Sequence, residues 1–195
     1  MKPGIVRVDR VYPHPREAVW RALTTPELLA RWLMPNDFEP RVGHTFTFRT
    51  DPGPGFDGIV RCEVLELVDG ERLVLSWRGG PLDTRVRFEL IDEGDGTRLT
   101  MEHTGFEGLK ARLVQRILAI GSRTIYGKRL PALLDDLARG DEPAPAEGAA
   151  CMSREQGVLE RILSFLSGRD RASGSDRHSG RDRPPGADRN SGTDR

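Results

Sequence analysis

Between residues 45 and 104 five successive runs alternate apolar and polar side chains at a period of two. Phe46 and Phe48 alternate with Thr45, Thr47 and Arg49, and Val60, Cys62 and Val64 alternate with Arg61 and Glu63. Leu73, Leu75 and Trp77 come next, then Val86, Phe88 and Leu90, then Leu99, Met101 and His103, each set interleaved with polar or smaller neighbours. A period of two describes a strand with one buried and one wet face. Asp69-Gly70, Gly79-Gly80 and Gly94-Asp95-Gly96 punctuate the runs with the residues that tight turns favour. The pattern therefore requires an antiparallel meander and excludes a parallel sheet, whose strands would be apolar on both faces.

Helical spacing flanks the meander on both sides. Residues 4–12 read as a first strand, and Pro15 opens a short helix bearing Ala18, Val19, Ala22 and Leu23. Thr25, Pro26 and Glu27 restart a helix as cap, first residue and acidic first turn. Leu28, Leu29, Trp32 and Leu33 form its apolar side, and Pro35 is the expected stop. From 107 to 139 the spacing is helical again, with Leu109, Leu113 and Ile117 on one stripe and Tyr126, Leu130, Leu133 and Leu137 on another. Gly121, Gly127 and Pro131 predict a break in this helix, and Gly140 predicts its end.

The remaining chain differs in kind. Hydrophobic residues make up only 36% of the whole, and the deficit lies here, with no long apolar side chain after Gly168. Residues 141–152 read as a linker. Ser153 and Gln156 then form a capping-box pair before Val158, Leu159, Ile162, Leu163, Phe165 and Leu166, which predicts an amphipathic helix over 153–167. So short a helix is marginal alone and needs a surface on which to bury its stripe. Residues 168–195 repeat a G-x-D-R-x-x unit without an apolar position, and such a segment cannot offset its ordering entropy.

Thirty basic and thirty acidic residues cancel, which leaves no broad basic field for nucleic acid. Met1 to His14 lacks the apolar stretch of a signal peptide, and no run approaches a membrane span. Cys62, in a strand, and Cys151, in the linker, make neither a disulfide framework nor a zinc site. A reduced cytoplasmic setting is the expectation.

Motifs with chemistry are few. The stretch from Gly53 to Gly58 matches G-x-G-x-x-G, but Ile59 to Leu67 reads as a strand, whereas that fingerprint needs a helix N-terminus for the pyrophosphate. A strand-to-strand loop is the preferred reading, and no cofactor is expected. His14, His44, His103 and His178 are too dispersed for a metal motif. His44 and His103 share the alternation face of apolar neighbours, which aims both inward. An inward histidine is more often structural than catalytic. Cys62 reads as a small buried hydrophobe.

Val19-Trp20-Arg21-Ala22-Leu23-Thr24, continued by Pro26-Glu27-Leu28 and Trp32, resembles the opening signature of the activator of heat-shock protein 90 ATPase homologue family. Val42-Gly43, the run from Leu73 to Trp77 and the run from Thr97 to Phe106 extend the resemblance to about residues 4–139. That family belongs to the START-like (SRPBCC) superfamily. The resemblance implies an α+β helix-grip fold, β-α-α-β6-α, in which a curved antiparallel sheet wraps a long C-terminal helix and leaves a cavity. Residues 1–140 form the domain in this reading, and the family does not account for the chain beyond it.

The functional expectation is a non-catalytic protein that holds a small hydrophobic or aromatic ligand in an internal cavity. Phe46, Phe48, Val60, Val64, Trp77, Phe88 and Met101 are candidate walls from the sheet, with Trp32 and Tyr126 from the helices. His103 and His44 would supply polarity. A polyketide cyclase or aromatase-like enzyme, in which His103 or Tyr126 shuttles a proton, is the second reading. A chaperone or partner-binding module acting through residues 153–166 is the third.

Overall fold

The structure is a computed structural model that describes residues 4–53 and 55–141. The expected 153–167 helix, the 168–195 repeat and the linker after Asp141 lie outside the described residues, as do Cys151 and His178.

The chain runs β1 (Gly4–Tyr12), α1 (Arg16–Thr24), α2 (Pro26–Trp32), β2 (Thr45–Arg49), β3 (Ile59–Val68), β4 (Arg72–Gly79), β5 (Leu82–Glu93) and β6 (Gly96–Phe106). It closes with α3 (Gly108–Thr124), a π-helical turn (Ile125–Arg129) and α4 (Leu130–Ala138). The six strands form one antiparallel sheet in the order β1-β6-β5-β4-β3-β2. Five strands come after α2, and a single bridge from Asn36 to Phe48 flanks the outer edge of β2. Each run of alternating residues became one strand because its apolar side faces the helices. The register aligns Val6, His103, Val86, Leu75 and Val64 in one row across five strands, and Val8, Met101, Phe88 and Leu73 in the next. A bulge between Val64 and Glu66 interrupts β3, and such bulges sharpen the twist of a sheet.

The opposite face is wet and laced with ion pairs, including Arg72 with Glu66 and Arg98 with Asp9 and Glu93. Exposed pairs of this kind contribute little to stability. The turn at Asp69-Gly70 places Gly70 at φ 70°, a left-handed backbone that glycine adopts without strain. The indole N–H of Trp20 donates to Asp69 at 2.8 Å, which ties α1 to that turn.

The helix boundaries arise from backbone hydrogen bonding. Thr25 does cap α2, but by its backbone alone. Its N–H closes α1 on Arg21, its carbonyl accepts from Leu29, and its hydroxyl makes no capping bond. α2 ends at Trp32, before Pro35, because Leu33 already leaves the helical region. A residue that precedes proline is also steered away from it, which disposes Met34 against continuing the helix.

The break expected in the closing helix is the π-helical turn. Pro131, in the first turn of α4, has no N–H to give the carbonyl four residues back, and a π turn is one way for a helix to absorb that loss. Gly140, at φ 77°, terminates the helix as expected. α4 packs against α1 and α2, whereas α3 lies beside β1. The stripe of Leu109, Leu113 and Ile117 does not pack as a unit, because only Ile117 is buried.

Candidate functional site

The inner face of β2, β4 and β6 carries a continuous track of rings. His44 stacks on Phe46 with centroids 6.1 Å apart, Phe46 meets Phe48 at 5.2 Å, and Phe48 meets Trp77 at 5.3 Å. Trp77 then meets His103 at 5.7 Å, and His103 meets Phe106 at 4.6 Å. Mostly edge-on and tilted ring contacts such as these are the arrangements that aromatic quadrupoles favour. Strand pairing builds the track, since every member is an inward position of its strand or of the residues just outside it. Trp77 is its one partly exposed carbon ring, while Phe46, Phe48 and Phe106 are buried.

The other expected wall residues take separate places. Trp32 and Tyr126 form their own edge-on pair at 5.4 Å, where α2 meets the π-helical turn. Val60, Val64, Phe88 and Met101 are buried in the core beside the track. All ten candidates therefore lie on the inner side of the sheet, packed against one another. Two concavities of the surface are open to solvent, and of the ten candidates Phe46 alone lines one of them. One, of about 340 Å³, is on the outer face around Asp37, Thr47, Arg61, Glu63 and Arg78. The other, of about 590 Å³, runs between β1 and α3 along Ile5, Arg7, Arg10, Ala119 and Arg123.

His103 is the one polar ring inside the track. Its Nε2 lies 2.7 Å from the hydroxyl of Thr84, and that hydroxyl also lies 2.9 Å from the carbonyl of Trp77. A hydroxyl has one proton, and the carbonyl can only accept, so Thr84 donates to Trp77 and accepts from His103. The imidazole therefore carries its proton on Nε2. Burial lowers its pKa to about 4, which keeps the ring neutral. No carboxylate pairs with it among the described residues. Thr84 was not foreseen as a site residue, although it shares the inward alternation of Val86 and Phe88 on β5.

The remaining candidates resolve simply. His44, one residue before β2, keeps the inward side of the alternation: its carbonyl accepts from Val64 of β3 and its ring stacks on Phe46, at the rim of the track with the carbonyl of Asp37 at 3.1 Å and Glu39 at 3.6 Å. Cys62 is a buried free thiol, pushed up to about 12 by desolvation, and is inert as a nucleophile. The glycine-rich loop joins β2 to β3 and offers no helix N-terminus. Gly58 is required there for a local reason: its φ is 80°, and a Cβ would stand 2.4 Å from the carbonyl of Thr50. Among the described residues no group of three or more His, Cys, Asp or Glu is placed to hold a metal ion. None of the described helices is long and apolar enough to cross a membrane.

The family described as activator of Hsp90 ATPase homolog 1-like protein matches residues 13–135. The chain belongs to that family. Among solved structures it is similar to protein MLL2253 from Mesorhizobium loti, with 36% identity and a TM-score of 0.62, covering 68% of this chain and 97% of that one. Protein BH1534 from Bacillus halodurans is 25% identical with a TM-score of 0.58, covering 69% and 99%. DynU16, described as a putative protein in the dynemicin biosynthetic locus, is 26% identical with a TM-score of 0.55, covering 70% and 48%. No curated protein matches this family member significantly.

Proposed function

We propose that this member of the family binds a small apolar or aromatic molecule against the ring track and performs no chemistry on it. The observation that carries the proposal is the track itself, with half-buried Trp77 at its centre and one neutral N–H ring, His103, set among the carbon rings. Apolar sites with a few fixed polar groups are the ordinary form of a small-molecule pocket. Because the rings pack on one another, a ligand enters by parting them at Trp77, the half-buried ring of the track. The similarity to DynU16 supports a role beside small-molecule biosynthesis, and a cytoplasmic setting suits the free thiol of Cys62.

The enzymatic reading is weaker on this geometry. A general acid or base works best with a pKa near the ambient pH. His103 titrates near 4, burial pushes the Tyr126 phenol far above its ordinary value, and neither has a carboxylate to orient it.

Native mass spectrometry of the protein purified from its own host tests the proposal. A stoichiometric apolar compound is expected, released on denaturation. When added back it should quench tryptophan fluorescence in the wild type and fail to do so in Trp77→Phe. An empty protein whose fluorescence ignores a panel of aromatic compounds would end the binding reading.

A further inference from the structure

The outer side of α3 carries three exposed apolar side chains, with exposed Arg116 among them. Leu109, Leu113 and Ile120 are 86%, 36% and 61% exposed, and the helical period sets them on one line down the helix. That line points away from Ala111 and Ser122, on the buried side. The groove between α3 and β1, lined by Ala119, Ser122 and Arg123 of the helix, carries a further exposed apolar side chain in Ile5. The charge along this stretch has one sign. From Gly108 to Arg129 there are six basic residues, Lys110, Arg112, Arg116, Arg123, Lys128 and Arg129, and no acidic one.

We propose that residues 153–166 of this same chain dock along α3 as a helix, laying Val158, Leu159, Ile162 and Leu163 over Leu109, Leu113 and Ile120. Three observations select this occupant. The segment carries an apolar face of matching kind that is too short to be stable uncovered. The tether that leads to it is complementary in charge, since residues 141–152 hold Asp141, Glu142 and Glu147 and no base, while the segment itself is balanced, with Arg154 and Arg161 against Glu155 and Glu160. The tether also reaches. The described chain ends at Asp141, just past α4, and Ile120 lies about 30 Å back along the helix at 1.5 Å per residue. The stretch from Asp141 to Val158 can extend to about 56 Å at about 3.3 Å per residue. A tether of this length holds the segment at an effective concentration of about a millimolar, which favours its own α3 over that of a second molecule.

Hydrogen exchange on the full chain tests the proposal. Amides of residues 158–166 should exchange at least about tenfold more slowly than in an unfolded peptide of the same sequence. That slowing should hold from about 1 to 100 μM protein, because docking within one chain does not depend on concentration. The double variant Leu113→Asp/Ile120→Asp should abolish it while leaving protection of the sheet unchanged. Ile162→Asp, which alters no residue of the domain, should do the same. Free exchange of the segment in the wild type would overturn the proposal, as would slowing that survives both variants. Slowing that grows with concentration alongside a dimer mass would assign the face to a second copy. Slowing seen only with phosphatidylcholine–phosphatidylserine vesicles would assign it to a lipid surface. Either result overturns docking within the chain.

Discussion

Leu130, Leu133 and Leu134 of α4 are buried, whereas Leu109 and Ile120 of α3, set at the same helical spacing, stand in solvent. These are two halves of one closing helix, and their sequences are amphipathic in the same way. The difference comes from what each half meets. α4 lies against α1 and α2, and Asp135 and Asp136 pair with His14 and Arg31 across that contact. The preceding turn is fastened by the phenol of Tyr12, which donates to the carbonyl of Tyr126 at 2.7 Å. Among the described residues α3 lies chiefly beside β1, with a smaller contact to β6, and Gln115 donates to the carbonyl of Ile5 at 3.0 Å. An amphipathic stripe therefore reports that a face is apolar and is silent about its cover.

The largest test of the contrast is on the packed half. Leu134→Ala should cost about 2–5 kcal/mol in urea denaturation, the range for a fully buried leucine whose site cannot collapse. A loss under about 1 kcal/mol would mean that α4 is no better anchored than α3, and the contrast would fail.

The second test asks whether the sheet beneath α3 is dry. His103 is lowered to about 4 in the folded protein by burial, while the unfolded chain titrates near the ordinary value of about 6.5. Between those values the unfolded state binds a proton that the folded state refuses, so stability rises with pH. The contribution is complete above about pH 6.5, declines as the pH falls, and is gone near pH 4, a total of about 3 kcal/mol. Stability of the wild type and of His103→Gln across this window should differ by that slope. Equal slopes would show water at His103 and an inner face as open as the outer side of α3.

The smallest effect is expected on the bare half. Leu113→Ala should change the stability of a chain ending at residue 141 by about 0.5 kcal/mol or less, as for surface positions generally. A larger loss in the full chain would measure what the docked segment adds.

Much of the fold was legible because strand and helix periods are local properties. The glycines between the alternating runs marked the hairpins, and Gly127 and Pro131 marked the place where the closing helix changes its hydrogen bonding. The site was legible in part. Alternation correctly aimed Phe46, Phe48, Trp77 and His103 to one face, because they are strand residues. It held also for His44, one residue before its strand, which stacks on Phe46 at the rim. The partnership of His103 with Thr84 joins residues 19 positions apart through strand pairing, and no local signal announces it.

The order of the elements, the inward face of each strand and the positions of the turns come from the chain's own hydrophobic period, since each depends on side chains a few residues apart. Which half of the closing helix is covered, which tautomer His103 adopts and how rings from three strands line up were decided only in the folded structure. These depend on the register of β4, β5 and β6 and on the seating of α1 and α2, which bring together groups far apart in sequence and remove them from water.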